Sequence, residues 1–330
     1  MKKALIGTLV VVFLLSSLGW LEAGDPPPKK LKVGITFSAP AEQSWDRNLL
    51  VSLDNLKKQG YDLDVTYMEN LSRENVESAI RNYIEEGYDV VINHMAAGAD
   101  VVERIHNEFP DFPFLSGGAG GKVIQSNVGF YDQCMYETAY LCGVIGGMMT
   151  KSKILGGVGA FPIPNVNSLF NAFERGALSV NPKVKFKFSY IESWFDPTKA
   201  KEAALAQIAA GADYILQERD GVVQACQDKG VYAFGVFMDM HKLAPDTVVT
   251  SAVNDWAPAM KEAFDKILSG NFEAKDYTKC FAGGGAVLAP YYNFEDKIPP
   301  EIKKKVAKLA QDIKEGRLVI PLEPQVKKRD

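Results

Sequence analysis

The sequence has few histidines and lacks the motifs on which common enzyme active sites depend. Its 330 residues contain only His94, His106 and His241, which are widely spaced and never form a His-Glu-x-x-His pattern, so a zinc site is not indicated. No Gly-x-Ser-x-Gly segment is present to position a nucleophilic serine. We therefore predict that the protein is not an enzyme and that it holds no metal and no cofactor.

Cysteine is also scarce, because four cysteines in a chain of 330 residues are too few to build the fold through disulfides. Cys134 and Cys142 are eight residues apart in a predicted helix, roughly 12 Å along its axis, which is beyond bridging distance. We interpret both as buried, small apolar side chains. Cys226 and Cys280 remain able to pair, and the sequence does not decide whether they do.

Positive charge is not in excess. Lysine and arginine number 37 against 41 aspartates and glutamates, a net charge of −4, and the basic runs are as short as residues 303–305 and 327–329. Such a chain is poorly suited to nucleic acid, which proteins bind through extended basic surfaces. We therefore expect a small molecule or a protein as the partner, and no nucleic acid.

Long apolar runs are absent after the first residues. Two lysines precede an apolar segment at residues 4–18, and Ala23 offers a small residue for cleavage, which is the pattern of a secretory signal peptide at residues 1–23. A membrane anchor is the alternative, but the run is shorter than the ~20 residues that span a bilayer. Gly24 stands where a lipoprotein would carry its cysteine. We expect an exported protein, periplasmic or at the cell surface, without a lipid anchor.

A glycine-rich stretch at residues 117–122 resembles a phosphate-binding loop only in part. Ser116 stands where the first Walker glycine belongs, and Val123 stands where serine or threonine would hold magnesium. We interpret the stretch as a mobile loop rather than a nucleotide site.

Strand-like and helix-like segments alternate along the chain, which predicts an α/β fold with parallel sheets covered on both faces. The predicted strands lie at residues 31–37, 63–67, 89–93, 112–115, 127–130, 153–159, 184–191, 214–217, 231–236 and 248–253. A long helix at residues 133–149 closes the first half, and the second half repeats the architecture. The last third departs from it, with helices at residues 256–268 and 300–315 around a short sheet-like stretch at 277–288. Late elements of this kind suit a chain that crosses between two domains more than once.

Aromatic residues mark the junctions between strands and helices. Trp45, Trp194 and Trp256 each follow a predicted strand and stand at or before the start of a helix, and Tyr131 holds the same kind of position. In open α/β sheets, ligands bind at the carboxyl ends of strands. Stacking of a base on an aromatic side chain contributes about 1–3 kcal/mol. We therefore interpret these aromatics as a platform for a flat, π-rich ligand; for Trp194 taken alone, the alternative is a side chain that plugs its loop.

Polar residues cluster at the same junctions. They are Ser44 and Asp46 beside Trp45, Asn93 at the end of the third strand, and Asp220 and Asp239 after later strands. Asp220 has a second interpretation as the cap of a helix. Asp239 lies between apolar neighbours, where a carboxylate would accept hydrogen bonds from vicinal hydroxyls or from an amine. A ribose or an exocyclic amino group would suit it.

Six short segments together resemble one protein family. They lie at residues 44–46 (Ser-Trp-Asp), 136–143, 181–182, 193–197 (Ser-Trp-Phe-Asp-Pro), 211–213 and 238–239 (Met-Asp). From residue 31 to about residue 321, the chain is similar to the basic membrane protein family, the purine-nucleoside-receptor-like substrate-binding proteins of ABC transporters. The resemblance implies a type I periplasmic-binding-protein fold, in which two Rossmann-like lobes joined by crossover hinge strands close on a ligand. It assigns residues 31–150 plus about 253–277 to the first lobe and residues 151–252 plus about 278–330 to the second.

The resemblance also implies roles for individual residues. The family pattern Ser-Phe-Asn becomes Ser44-Trp45-Asp46, so Trp45 would stack on the base, and a carboxylate that only accepts hydrogen bonds replaces an amide. That change favours ring N–H or amino donors such as those of adenine or guanine. Trp194 matches the second stacking aromatic, and Asp239 matches the aspartate that holds the ribose. Residues 217–220 are charged where the family carries neutral residues, which leaves open whether the ligand has a sugar.

Three functions compete at this point. The leading hypothesis is a receptor for a purine nucleoside or nucleobase, acting as a monomer that delivers its ligand to a membrane permease. The second keeps the receptor but changes the ligand to another flat or polar molecule, such as a flavin or a sugar. The third is a secreted enzyme acting on nucleosides, for which the sequence offers no organised nucleophile or metal.

Overall fold

The first half of the chain forms one parallel sheet. The structure, a computed structural model, describes residues 30–95, 98–118, 122 and 124–327. The strands of the first sheet are β1 (Leu31–Phe37), β2 (Leu63–Met68), β3 (Val90–His94), β4 (Phe114–Gly117) and β5 (Val128–Tyr131). They run parallel in the order β2-β1-β3-β4-β5. The central strand β3 is buried along its whole length, as expected of a parallel sheet with helices on both faces.

The second half forms a similar sheet with one antiparallel edge. Its strands are β6 (Ile154–Gly159), β7 (Lys185–Tyr190), β8 (Tyr214–Gln217), β9 (Tyr232–Phe237), β10 (Val248–Asn254) and β11 (Ala286–Leu288). Their order is β11-β10-β9-β8-β6-β7, and only the edge pair β10–β11 is antiparallel among the strands of this sheet. We call the part of the molecule around the first sheet the first lobe and the part around this sheet the second lobe.

The helices alternate with the strands as the sequence predicts, and the predicted α/β fold is confirmed. They are α1 (Ser44–Lys58), α2 (Val76–Glu85), α3 (Ala99–Ile105), α4 (Met135–Met149), α5 (Pro164–Leu178), α6 (Pro197–Ala209), α7 (Val222–Lys229), α8 (Ala257–Leu268) and α9 (Pro300–Lys314). The sheet-like stretch predicted at residues 277–288 is a strand only in β11. A 3₁₀ turn at Phe281–Gly283 precedes it, and Gly284 follows with a positive φ of 80° that a strand does not allow.

Helix α4 packs in the core of the second lobe, whereas the sequence analysis assigned it to the first. Eleven of the fifteen residues of α4 are buried, and they lie around the whole helix, so its sequence shows no preferred face. Gly143 in α4 and Gly176 in α5 let the two helices approach closely. A Cβ atom at either glycine would lie 2.0 Å from a backbone oxygen of the other helix. The chain therefore leaves the first lobe before α4.

Helix α8 returns to the first lobe. Its residues Met260 and Phe264 and the preceding Trp256 belong to the same core as Leu49 and Leu53 of α1. The described chain thus crosses between the lobes at residues 132–134, again at 254–256, and a third time between Tyr277 and Ala286.

A disulfide joins two of these crossing segments. Cys134 is bonded to Cys280, so the interpretation of Cys134 as a free apolar side chain is wrong, and so is the pairing considered for Cys226 with Cys280. Cys226 is a free thiol buried in the second lobe, and Cys142 is the buried, unpaired cysteine that the sequence indicates. The bonded cysteines are 146 residues apart, and only the return of the chain to the first lobe brings them together.

Some sequence predictions lie outside the described residues. They include the signal peptide at residues 1–23, positions 119–121 and 123 of the glycine-rich stretch, and the basic tail after residue 327. Within the part of the chain that the structure describes, no helix has both the length and the apolar character needed to cross a bilayer.

Candidate ligand-binding cleft

A cavity lies where the carboxyl ends of the strands of both sheets meet, the usual place for a ligand in open α/β sheets, and its empty space, including the part open to solvent, is about 530 Å³. The first lobe lines it with residues at the ends of β1, β3 and β4 and at the start of α1. The second lobe lines it with residues that end or follow β6, β7, β8 and β9. The lining residues are Ser38, Ala39, Gln43, Trp45, Asp46, His94, Met95, Gly117, Gly118, Gln133, Ile163, Asn165, Val166, Trp194, Glu218, Arg219 and Phe237. Of the predicted ligand-binding residues, Trp45, Asp46 and Trp194 are brought together here.

Trp45 is fixed at the first turn of α1. The Gln43 side chain caps this helix by accepting hydrogen bonds from the backbone N–H groups of Trp45 and Asp46, each at 3.1 Å. The indole stacks on the His94 ring with centroids 4.7 Å apart and planes inclined by 15°, and Trp256 meets it edge-on at 5.1 Å. Because His94 covers one face of the Trp45 ring, a ligand would contact the opposite face.

The predicted site residues Tyr131, Trp256 and Asn93 lie behind this surface and do not line the cavity. Tyr131 Oη lies 2.7 Å from His94 Nδ1, and the buried Trp256 ring packs edge-on against both of these rings. Burial lowers the pKa of His94 to about 3, so the imidazole is neutral near pH 7. Asn93 accepts a hydrogen bond from Thr36 Oγ1 and donates one to a backbone carbonyl. These residues position Trp45 and His94 from the core side.

Asp46 places a carboxyl group in the wall of the cavity. The side chain is 2% exposed, and its Oδ1 atom is buried with no hydrogen-bond partner among the described residues. Burial raises the pKa of Asp46 well above its usual range, while the Arg219 guanidinium opposes the shift. A buried, unpartnered oxygen is costly unless something bonds to it. Asp46 is therefore a candidate partner for a donor on a bound ligand.

Trp194 comes from the second lobe, in the loop between β7 and α6. Asp196 caps α6 by accepting a hydrogen bond from Lys199 N at 2.9 Å, and Pro197 is the first residue of the helix. The indole is half-buried and lies against the Phe161 ring at 4.8 Å. The backbone oxygen of Trp194 accepts a hydrogen bond from Arg219 Nη1 at 2.6 Å. The loop that carries the indole is thus held at Trp194 itself and at the start of α6.

A buried ion pair forms the floor of the cavity on the second lobe. Glu218 and Arg219 have side chains only 3% and 4% exposed, and the guanidinium donates to both carboxylate oxygens at 2.9 and 2.7 Å. Ala160 N also donates to Glu218 at 2.8 Å. Desolvation raises the pKa of Glu218, and the charge of Arg219 opposes that shift. The Phe237 ring lies 5.4 Å from the guanidinium carbon.

The remaining predicted site residues line a separate outer groove. Ser44 and Asp220 face each other across the lobes, where Ser44 donates to the Asp220 carboxylate from its backbone N at 3.0 Å and from its hydroxyl. Asp239 accepts hydrogen bonds from Tyr292 Oη at 2.6 Å and from His241 N at 3.0 Å. These carboxylates therefore have protein partners outside the cavity that holds the tryptophans.

Several lining residues were not among the predicted ligand contacts. Gln133 and Asn165 come from the first crossing segment and from the start of α5, and neither position has a sequence signal beyond polarity at an element end. Arg219 lies in the charged segment at residues 217–220, so the departure from the family pattern did mark this part of the site. Phe237 ends β9 and could have been found as an aromatic at a strand terminus, the criterion that selected Trp45.

The carboxyl group of Asp132, in the first crossing segment, should make the stability of the protein depend on pH. Burial raises the pKa of Asp132 to about 7, even though Gln133 N and Asn165 Nδ2 donate hydrogen bonds to it. A carboxyl group whose pKa is higher in the folded than in the unfolded state makes the free energy of unfolding fall as the pH rises from ~4 to ~7. We expect Asp132→Asn to remove this decrease and to stabilise the protein at pH 8 by about 1–3 kcal/mol. Urea unfolding from pH 4 to pH 8 measures both, and a difference between variant and wild type that does not change with pH would contradict the raised pKa.

Comparison with known proteins places this geometry in a family. The Bmp family model, described as ABC transporter substrate-binding protein PnrA-like, matches residues 30–320. A purine-binding protein of Brucella abortus is 31% identical over 311 residues, which are 92% of this chain and 86% of its own length. A protein of Haloferax volcanii named as a candidate ABC transporter glucose-binding protein is 32% identical over 254 residues, 76% of this chain and 63% of its own length. The crystal structure of a solute-binding protein of an ABC transporter system from Aeropyrum pernix K1 covers 89% of this chain and 94% of its own, with a TM-score of 0.78 and 17% identity, which shows the shared fold.

Two α/β lobes that enclose one cavity at their strand ends define a two-lobed solute-binding protein. The chain belongs to the Bmp family, the PnrA-like substrate-binding proteins of ABC transporters. The resemblance seen in the sequence is thereby confirmed, and so is the type I periplasmic-binding-protein fold. Members of this family are extracytoplasmic proteins that bind small molecules and interact with a permease. They are not enzymes, in agreement with the prediction from the sequence.

Proposed function

We propose that this substrate-binding protein receives a purine base or nucleoside and holds it between Trp45 and Trp194. The observation that carries the proposal is that these two indoles, which belong to different lobes, line one cavity. The name of the Brucella abortus relative, a purine-binding protein, supports the same ligand class. Two stacking surfaces from opposite lobes favour a flat aromatic molecule over a compact or fully flexible one.

The polar groups of the cavity suit the edge of a purine. Asp46 offers a buried oxygen that lacks a partner, which can accept a hydrogen bond from a ring N–H or an amino group. The opposite wall carries the Arg219 guanidinium, and its N–H groups that are not used by Glu218 and Trp194 can donate to a ring nitrogen or to a carbonyl oxygen. A purine presents donors and acceptors on adjacent atoms, so one molecule can satisfy both walls.

The same contacts give the ligand a mechanical role. Because Trp45 and Trp194 belong to different lobes, a molecule that touches both gains its full stacking energy only when the lobes are together. A ligand that binds the closed state better shifts the population toward it. The hydrogen bonds from Ser44 to Asp220 join the lobes in the same arrangement. We propose that a membrane permease recognises this closed state.

Removal of the second indole is expected to weaken binding. Trp194→Ala should raise the dissociation constant for a bound purine by roughly 5- to 150-fold, which corresponds to the loss of about 1–3 kcal/mol of stacking. Titrations with adenine, guanine, hypoxanthine and their nucleosides, followed by calorimetry and tryptophan fluorescence, measure the change. Trp194→Phe is the matched control, because it keeps an aromatic face and should retain most of the affinity.

Two results would contradict this function. If none of these purines binds the wild-type protein, the ligand class is wrong. If a purine binds but Trp194→Ala has the affinity of the wild type, the ligand does not stack on this indole.

A sugar is the second candidate ligand, because the Haloferax volcanii relative is named for glucose. Glucose therefore belongs in the same titrations. Mass spectrometry of ligand carried through purification separates the candidates directly, since a purine, a flavin and a sugar differ in mass and absorbance.

We also propose that the chain is exported by residues 1–23 and acts as a monomer without a lipid anchor. The apolar segment at residues 4–18 supports the export, and Gly24 in place of a cysteine supports the absence of a lipid anchor. N-terminal sequencing of the exported protein tests the cleavage, and size-exclusion chromatography with light scattering tests the monomer.

A further inference from the structure

Four carboxylates lie in or near the cleft, and most of their oxygen atoms are already engaged. Both oxygens of Glu218 accept hydrogen bonds from Arg219, and both oxygens of Asp220 accept hydrogen bonds from Ser44. Both oxygens of Asp239 are held in the outer groove, one by Tyr292 and one by a backbone N–H. Among these groups, only Asp46 keeps a buried oxygen without a partner in the described structure.

A ribose needs hydrogen-bond acceptors that these four carboxylates do not provide. Its vicinal hydroxyls need acceptors when they are removed from water, and carboxylates are the usual partners. The cavity offers Asp46 as the one carboxylate with an open oxygen, and Asp46 stands at the turn of α1 beside the stacking face of Trp45, where the edge of a base would lie. A base bound to Asp46 would leave the sugar no open carboxylate, and Gln133 Oε1, the other unpartnered buried oxygen of this lining among the described residues, is a single amide oxygen for two vicinal hydroxyls.

Phe237 closes the cavity at the point where the chain turns away toward the outer groove. The ring is 2% exposed and meets Trp45 edge-on, with centroids 5.5 Å apart, while the Arg219 guanidinium lies over it. Phe237 has a φ of +72°, a left-handed conformation that a bulky residue rarely adopts. This turn directs Asp239 into the outer groove, so an apolar ring rather than a carboxylate faces the cavity at the end of β9.

We infer that the cleft selects the free purine base over the nucleoside, and that Phe237 is the residue that excludes the sugar. The inference rests on the proposed purine function. The indoles and Asp46 supply what a base needs, which is two stacking faces and an acceptor. The wall formed by Phe237 and the Glu218–Arg219 pair presents an apolar ring and a carboxylate whose two oxygens already accept hydrogen bonds from the guanidinium, and hydroxyl groups buried there without acceptors reduce affinity.

Calorimetric titration of the mature protein with three matched pairs tests the selectivity. The pairs are adenine with adenosine, guanine with guanosine, and hypoxanthine with inosine. At least one base should bind, and its nucleoside should bind at least about tenfold more weakly. Equal or tighter binding of the nucleosides would overturn the selectivity but leave the purine function standing. Absence of binding by every base and nucleoside would instead overturn the purine function itself.

Substitution of Phe237 tests whether this residue excludes the sugar. Phe237→Asp places a carboxylate at the cavity wall beside Arg219, and aspartate tolerates a positive φ better than phenylalanine. The ratio of nucleoside to base affinity should rise at least about tenfold. Phe237→Ala makes room without adding a charge, so it should raise the ratio less, and circular dichroism checks that both variants fold. If both variants fold and the ratio of nucleoside to base affinity stays at the wild-type value in each, Phe237 does not exclude the sugar.

Tyr292→Phe is the matched control, because it releases one oxygen of Asp239 at an exposed position in the outer groove. We expect the ratio of nucleoside to base affinity to remain at the wild-type value in this variant. A gain in nucleoside affinity would show that the sugar reaches Asp239, which would overturn the inference.

Discussion

Arg219→Met is expected to lower the free energy of unfolding by about 3–5 kcal/mol, the usual effect of removing one partner of a buried ion pair. The guanidinium donates to both oxygens of Glu218, and both side chains are almost completely buried. Without Arg219, the hydrogen bond from Ala160 N is the one remaining contact to the carboxylate in the described structure. Urea unfolding at pH 8, followed by circular dichroism, measures the loss.

The double variant Glu218→Gln with Arg219→Met separates the effect of an unpaired buried charge from the effect of lost side-chain packing. It leaves no charge at either position of the pair, and replacement of both partners of a buried pair is often close to neutral. It should therefore be more stable than Arg219→Met alone at pH 8. Burial already raises the pKa of Glu218 with Arg219 present, so the shift should increase without it. A raised folded-state pKa makes stability fall as the pH rises above the unfolded value of ~4.3, so the deficit of the single variant should be smaller at pH 5 than at pH 8. Equal stability of the single and double variants at both pH values would show that the buried charge is not the cause.

The sequence pattern predicted which edge of each sheet faces the ligand, but it did not predict which side chains at that edge line the cavity and which are buried behind it. Trp45, Trp194 and Trp256 each follow a strand and stand at or before the start of a helix, and this pattern treats them alike. Trp45 and Trp194 line the cavity, whereas Trp256 is buried behind it because α8 packs against α1 in the first lobe. Burial depends on which distant elements meet, and a local pattern does not contain that information.

Asp239 is a second case in which the local sequence pattern did not predict where a side chain lies. Its position after β9 was read correctly, but a positive φ at Phe237 turns the chain, so the aspartate lies in the outer groove. Alternation along a strand predicts which face a residue occupies only while the backbone stays extended. The aromatic residue before the turn, rather than the carboxylate after it, faces the cavity. The disulfide escaped prediction for a related reason, because its cysteines meet only through the third crossing of the chain.

Removal of the Cys134–Cys280 disulfide is expected to lower the free energy of unfolding by about 2–5 kcal/mol. The bond closes a loop of 146 residues, and a link across so long a segment greatly restricts the unfolded chain. In the folded state, the residues just before these segments are also joined by backbone hydrogen bonds, from Phe130 N to Lys275 O and from Tyr277 N to Phe130 O. The fold should therefore persist in the double variant Cys134→Ser with Cys280→Ser, with a lower unfolding midpoint in urea.

The two free cysteines provide the control for this effect. Cys142 and Cys226 are buried thiols that take no part in the bond, so Cys142→Ser should remain sensitive to reductant. Reductant should lower the unfolding midpoint of the wild type to about that of the double variant, and it should leave the double variant unchanged. Peptide mapping under non-reducing conditions identifies the linked cysteines directly. A wild-type midpoint that does not respond to full reduction would mean that the crossing segments hold together without the bond, and that the chain-entropy argument does not apply to this hinge.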